Sequence, residues 1–210
     1  MERSCEPHEQ RHCIARPAAS SLTHNRGQYM SFPVHTIESA PDQSKESLRA
    51  LQSAFGFIPN IAGAIATSPV LIKSLTGLFG NVHGGTFSEP QIQTVLLTNA
   101  VTNSCSYAVA FHTFLALKEG IPADDVQAIR ERRAPRDPKF GALSTLARTL
   151  IEKRGRLDDQ DVKTFIGAGF TQDNLLEVIA VVSASTITNY AGSVTNPALE
   201  AQFAPHAWKP

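Results

Sequence analysis

Apolar residues along this chain recur at intervals of three and four, which is the spacing of one face of an α-helix. The first such run starts at a capping residue, Asp42 or Ser44, and continues through Leu48 and Phe55. No stretch alternates between apolar and polar residues as a half-buried strand does. The pattern therefore predicts an all-α protein.

Glycine and proline residues divide this pattern into separate predicted helices. The break GFIPN, at 56–60, ends the first helix, and a short helix follows it. The further helices are predicted at 69–82, from a cap at Ser88 through Ala100, from about 104 to 120, and at 126–133, 139–154, 158–168 and 171–190. The segment APRDP, at 134–138, is the clearest linker between them. A helical bundle is the architecture that this order of elements favours.

Part of the helical pattern repeats at an offset of 83 residues. SEPQI at 88–92 matches TQDNL at 171–175, and Tyr107-Ala108 falls on Tyr190-Ala191. Only the first copy contains a cysteine and a histidine, Cys105 and His112, near its tyrosine-alanine pair. The offset predicts an internal duplication of a helical unit in which one copy alone holds reactive side chains.

The first 29 residues differ from the rest of the chain. They are rich in arginine, histidine, proline and serine, lack helical or strand periodicity, and lack the apolar core of a secretory signal. We expect a disordered N-terminal extension at 1–29 followed by one folded domain at 30–210.

Composition excludes several classes of function. Lysine plus arginine and aspartate plus glutamate number 19 each, which gives no basic field for nucleic acid or for an anionic membrane. The longest apolar run, 178–187, is shorter than the ~20 residues that cross a bilayer. The three cysteines match neither a zinc site nor a disulfide framework, and no phosphate-binding loop is present. We therefore expect a cytoplasmic protein without metal or cofactor that binds a small molecule or a protein.

Cys105 and His112 are the candidate catalytic residues. Their separation of seven residues places them on one helix face, about 10 Å apart along the axis, so direct contact is not expected. If Asn103 or Ser104 caps the helix, Cys105 lies in the first turn, where unpaired N–H groups favour a thiolate. The alternative interpretation is an ordinary buried cysteine beside an ordinary histidine.

Asn103, Cys105, Tyr107 and His112 match the signature Asn-x-Cys-x-Tyr-Cys-x-x-x-His. With this signature, the stretches LQSAFGFIPNIAGAIATSPVL, GAGFTQDNLLEVI and FAPHAW resemble the alkylhydroperoxidase D and carboxymuconolactone decarboxylase-like proteins. The resemblance covers nearly everything after Met30. It implies an all-helical homo-oligomer, a thiol reductant and a small-molecule substrate.

Two departures from the signature fall on its chemistry. Ala108 stands where the family has the cysteine that attacks peroxide, and Gln93 stands where it has a proton-transferring glutamate. By this resemblance Cys105 corresponds to the resolving thiol. Oxidised Cys105 would then stop at sulfenic acid and need an external thiol, and an amide at Gln93 cannot act as a base. Gln93, Asn103, Tyr107 and Ala108 are expected to shape the site.

Three functions stay open on these residues. The first is a degenerate, single-cysteine thiol peroxidase; the second is a decarboxylase-like lyase acting on a small acid; the third is a non-catalytic binding or assembly module. Among other residues, His83 is typical of a helix end, and Glu177 is a candidate substitute carboxylate. For assembly we expect an apolar stripe on the third helix, formed by Leu71, Leu75, Leu78 and Phe79.

Overall fold

The computed structural model describes residues 31–210, which form one compact unit. The expectation of a disordered extension at 1–29 lies outside the described residues. The described part contains α-helices and one 3₁₀ helix and no strand, as predicted. The α-helices are α1 Asp42–Phe55, α2 Asn60–Ile65, α3 Pro69–His83, α4 Glu89–Thr102, α5 Ser106–Lys118, α6 Ala123–Arg130, α7 Pro138–Glu152, α8 Asp159–Gly167 and α9 Gln172–Thr195, and the 3₁₀ helix is Ala201–His206.

Local signals account for most helix starts. Ser88 and Thr171 each cap their helix in a reciprocal capping box, with Gln91 and Asn174 as the third helical residues. These two boxes lie at corresponding positions of the 83-residue offset. α4 and α9, the helices that they begin, pack against each other.

Two helices, α6 and α9, differ from their predicted boundaries. α9 extends five residues beyond its predicted end at Tyr190 and stops at Asn196, which is left-handed with φ 43°. Gly192, two residues after the predicted end, lies buried inside this helix. α6 starts at Ala123, three residues earlier than predicted, because Pro122 supplies its N-cap geometry, and it ends before the left-handed Arg132.

The core lies around α4, whose residues 92–101 are all buried. One apolar cluster joins α1, α2 and α5 to Phe203 of the 3₁₀ helix, and a second joins α4 to α7, α8 and α9. Residues 196–210, here called the C-terminal segment, run back across α2, α5 and α6. Asn60 Nδ2 donates to Ala198 O at 3.0 Å, and Trp208 Nε1 donates to Arg130 O at 3.2 Å.

The apolar stripe expected on α3 is turned inward. Leu75 is buried, while Leu71, Leu78 and Phe79 pack against the two clusters. Exposed apolar side chains instead follow one face of α9, where Leu176, Ile179, Tyr190 and Val194 are between 41% and 68% exposed. α9 is also the one helix within residues 31–210 whose length and composition would allow it to cross a membrane, a test that core helices also pass.

Candidate functional site

The signature residues lie at a break between α4 and α5. Asn103 ends α4, Ser104 is left-handed with φ 55°, and Cys105 is the N-cap of α5. The Cys105 N–H donates to Ala100 O at 3.0 Å, which closes the turn. Cys105 is therefore the capping residue itself and not a member of the first turn, and its side chain stands over the unpaired N–H groups of α5.

The thiol of Cys105 faces α9. Only 3% of this residue is exposed. A Cβ atom added at Gly192 would lie 3.0 Å from Cys105 Sγ and 3.0 Å from Ile61 Cδ1, so glycine permits this approach. Burial raises the pKa of the Cys105 thiol, and this outweighs the backbone N–H groups of Ala108 and Tyr107, which lower it. The thiolate that we expected at a helix start is therefore opposed by the lack of water.

His112 is paired with Gln93. The Nδ1 atom of His112 lies 3.1 Å from Gln93 Oε1, and both residues are buried. An amide oxygen only accepts, so Nδ1 carries the proton and Nε2 keeps a lone pair. Burial, followed by the charge of His83, lowers the pKa of His112 to about 3. His112 is thus a neutral imidazole whose Nε2 has a lone pair but, because of the lowered pKa, is a weak base.

Asn103 turns back onto α4 and away from the thiol. Its Nδ2 donates to Asn99 O at 3.1 Å and to Asn99 Oδ1. Asn99 in turn donates to Val182 O at 2.8 Å and accepts from Asn189 Nδ2 at 2.6 Å. Asn103 therefore belongs to a buried amide network that ties the end of α4 to α9 and holds the break in place.

Tyr107 binds the C-terminal segment. Its hydroxyl donates to Glu200 Oε1 at 2.8 Å and accepts from the Ile61 N–H at 3.4 Å. Glu200 Oε1 also accepts from the Asn60 N–H at 2.7 Å. Burial, and then the Glu200 charge, raises the pKa of Tyr107 above its ordinary value. Sequence reasoning missed Glu200, because a partner 93 residues away leaves no local signal.

Ala108 lies on α5 three residues after Cys105 and is 4% exposed. Its methyl group fills the position of the second cysteine of the signature. No hydrogen bond joins Cys105 to His112 within residues 31–210. The structure therefore pairs Gln93 of α4 with His112 of α5, and it places Cys105, at the start of α5, against Gly192 of α9.

Glu177 and His83 have structural partners. Glu177 accepts from the Thr86 N–H at 2.7 Å, from the Thr86 hydroxyl and from the Phe87 N–H at 3.4 Å. It therefore holds the loop before α4 and does not reach His112 to replace the missing carboxylate. His83 is the last residue of α3, and its Nδ1 lies 2.7 Å from Glu89 Oε1 at the surface.

A cavity of about 210 Å³ lies elsewhere, between α5, α6 and the C-terminal segment. Its walls include Thr113, Arg130 and His206, and neither Cys105 nor His112. Within residues 31–210 no group of three or more histidine, cysteine, aspartate or glutamate side chains is placed to hold a metal ion.

Comparisons with known proteins find similar structures but no similar sequence family. No family model matches the chain, and no curated protein matches it. Among solved structures, the alkylhydroperoxidase AhpD core of an uncharacterised peroxidase-related protein from Ralstonia eutropha JMP134 superposes with a TM-score of 0.72 at 15% identity, covering 82% of this chain and 93% of that one. This chain has the alkylhydroperoxidase D fold.

Two further structures share the alkylhydroperoxidase D fold. The debrominase Bmp8 superposes with a TM-score of 0.70 at 16% identity, covering 83% of this chain and 95% of its own. An uncharacterised peroxidase-related protein from Silicibacter sp. TM1040 gives 0.69 at 16% identity, with 88% and 97% covered. Since proteins described by different activities share this fold, the fold alone does not select a reaction.

Proposed function

We propose that the protein is a single-cysteine oxidoreductase that reduces small peroxides slowly, with Cys105 as the sulfur and His112 as the proton carrier. The observation that supports it is the Cys105 N-cap: the thiol stands where the N–H groups of Tyr107 and Ala108 favour its anion. Burial opposes ionisation, so the thiol is protonated at rest and turnover is slow.

In the proposed reaction the Cys105 thiol gives its proton to His112 Nε2, through a water molecule or the substrate. The sulfur attacks one peroxide oxygen, the O–O bond breaks, and the sulfur becomes sulfenic acid. The departing alkoxide takes the proton back from His112 and leaves as an alcohol. Two equivalents of an external thiol then regenerate Cys105, releasing water and a disulfide.

Gln93 fixes the tautomer that this step needs. Its carbonyl holds the proton on His112 Nδ1, which leaves Nε2 as the acceptor. A glutamate at this position would do the same and also stabilise the imidazolium, so the amide lowers the rate without removing the geometry.

Location and assembly belong to the same proposal. A cysteine that must be returned to the thiol by an external reductant suits a reducing compartment, so we place the protein in the cytoplasm. We also propose a homo-oligomer that covers the exposed apolar face of α9.

A second candidate is a non-catalytic module with the same fold. The alanine at 108 and the buried, protonated thiol favour it. In that case Cys105 is a packing residue and its sulfur has no chemistry to perform.

Peroxide oxidation tests the two candidates directly. In a Cys5→Ser, Cys13→Ser background, cumene hydroperoxide should convert Cys105 to a sulfenic acid that a dione reagent traps, as seen by mass spectrometry. His112→Gln should slow this step about 100-fold if it carries the proton, while the control change Tyr190→Phe, at an exposed position of α9, should not alter its rate. An unreactive Cys105 in native protein that reacts after unfolding would favour the non-catalytic module.

A further inference from the structure

Arg130 lines the cavity of about 210 Å³ between α5, α6 and the C-terminal segment. Its Nη1 donates to Thr113 Oγ1 at 2.7 Å and to His206 O at 3.0 Å, and its Nη2 donates to Ala207 O at 3.1 Å. These three bonds use three of the five guanidinium N–H groups. The Nε–H and one Nη2–H have no acceptor within residues 31–210. These two N–H groups remain available as charge-assisted donors to a carboxylate.

No carboxylate neutralises this arginine. No acidic side chain lines the cavity, and no ion pair to Arg130 occurs within residues 31–210. Arg133 and Arg136 differ from it, because Arg133 pairs with Glu131 and Arg136 with Asp124. Partial burial lowers the pKa of Arg130, which remains a cation. A fixed, half-buried positive charge without a counterion attracts an anion.

The remaining walls select the kind of anion. Leu117, Ala123, Val126 and Pro205 are apolar, while Gln127 and His206 add polar groups at the edge. A fully hydrated inorganic anion gains nothing from the apolar walls, whereas an organic acid buries its hydrocarbon part there. The volume limits the ligand to roughly the size of one aromatic ring with its carboxylate.

We propose that this cavity is a binding site for a small organic monocarboxylate. The Arg130 guanidinium binds the carboxylate, and the apolar walls contact the hydrocarbon part and so favour organic acids. The site is separate from Cys105 and His112 and does not depend on the redox proposal. Because Arg130 also holds the carbonyls of His206 and Ala207, an occupied site stabilises the attachment of the C-terminal segment.

Titration with benzoate, followed by amide NMR, tests the proposal on the full chain. We expect shifts at Thr113, Arg130 and His206, with benzyl alcohol and inorganic phosphate binding at least about tenfold more weakly. If benzyl alcohol bound as tightly as benzoate, the Arg130 charge would have no role in binding. Equal binding of phosphate would overturn the role of the apolar walls.

Gln127 gives a matched pair of variants on an exposed helix position. Gln127→Glu places a carboxylate at the cavity edge and should weaken benzoate about tenfold or more, whereas the neutral Gln127→Met should not. Arg130→Lys should lower the affinity for benzoate to a similar extent, and Cys105→Ser should leave that affinity unchanged. Benzoate affinity that is equal in Gln127→Glu, Arg130→Lys and the wild type would refute the site, as would shifts confined to other parts of the chain.

Discussion

The region that leads to Cys105 and its counterpart in α9 both begin with a capping box, but only the first is interrupted by a break in the helix. Both follow a capping box, at Ser88 and at Thr171, 83 residues apart. After the 14 residues of α4 the first copy breaks, with Ser104 left-handed. In contrast, α9 continues through the equivalent positions 186–188 as one helix of 24 residues. The equivalent of Ser104 is Ile187, and a β-branched residue strongly disfavours a positive φ.

The break distinguishes the surroundings of Cys105 from those of the equivalent position in α9. A continuous helix satisfies every internal N–H, so a side chain in its middle meets no unpaired donor. The break exposes the first N–H groups of α5 and places the Cys105 side chain over them. The four predictions below test this difference between the copies.

Restoring the signature should give the largest effect. Ala108→Cys with Gln93→Glu supplies an attacking sulfur three residues from a resolving partner and a carboxylate to activate it. We expect peroxide turnover with a dithiol reductant to rise about 100-fold over wild type. The counterpart change Ala191→Cys in unbroken α9 is the control and should add nothing. Equal rates in the restored variant and the wild type would show that these two positions do not limit the reaction.

A side chain added at Gly192 should disrupt the packing of α9 against the start of α5. Gly192→Val drives a side chain into Cys105 Sγ and Ile61 Cδ1, and we expect a loss of about 2–3 kcal/mol in the free energy of unfolding. Gly77→Ala in α3 is the matched control, since nothing lies within 4 Å of its added Cβ. That variant should gain up to about 1 kcal/mol from helix propensity. Denaturant titration measures both, and a neutral Gly192→Val would mean that α9 does not pack closely on Cys105.

Only the first copy should make stability depend on pH through a histidine, because the counterpart of His112 is Thr195. Folded His112 stays neutral down to about pH 3, while the unfolded chain takes up the proton below about 6.5. The stabilising contribution is therefore complete above pH 6.5 and is lost as the pH falls toward 3. Between pH 7.5 and 5 we expect His112 to account for a loss of about 2 kcal/mol.

The measurement for this pH effect is the difference in unfolding free energy between wild type and His112→Gln across that range. The variant should have the shallower slope. Parallel slopes would contradict a buried neutral imidazole.

Tyr107 and its counterpart Tyr190 should respond differently to loss of the hydroxyl. Tyr107→Phe removes a hydrogen bond to the Glu200 carboxylate, and we expect a cost of about 1–2 kcal/mol. Tyr190 is 63% exposed, so Tyr190→Phe should change the stability by less than about 0.5 kcal/mol. Thermal unfolding of the pair measures the contrast, and equal effects would remove Tyr107 as an anchor.

The sequence predicts helix starts well because capping residues and prolines act locally. Ser88, Thr171 and Asp158 all cap the helices expected after them. It predicts the end of α9 poorly, because Gly192 looks like a stop signal and is instead required by the Cys105 side chain packed on it.

The site is less predictable than the fold for the same physical reason. The pairing of Gln93 with His112 follows from two signature positions, but the Glu200 carboxylate that binds Tyr107 comes from a segment without any recognisable pattern. The burial that keeps the thiol protonated depends on α9 and α2, which no spacing within 103–112 reveals. The sequence therefore predicts which candidate side chains are present, but it does not predict how distant residues bury them or bind to them.

The bond between Tyr107 and Glu200 also sets an order of events during translation. Synthesis runs from the N-terminus, so α5 leaves the ribosome well before residue 200 has been added to the chain. Until then the Tyr107 hydroxyl has no carboxylate to bind, and α2 has no acceptor for the Asn60 N–H. The environment of the signature segment is consequently completed late, after the helices that carry it have already formed.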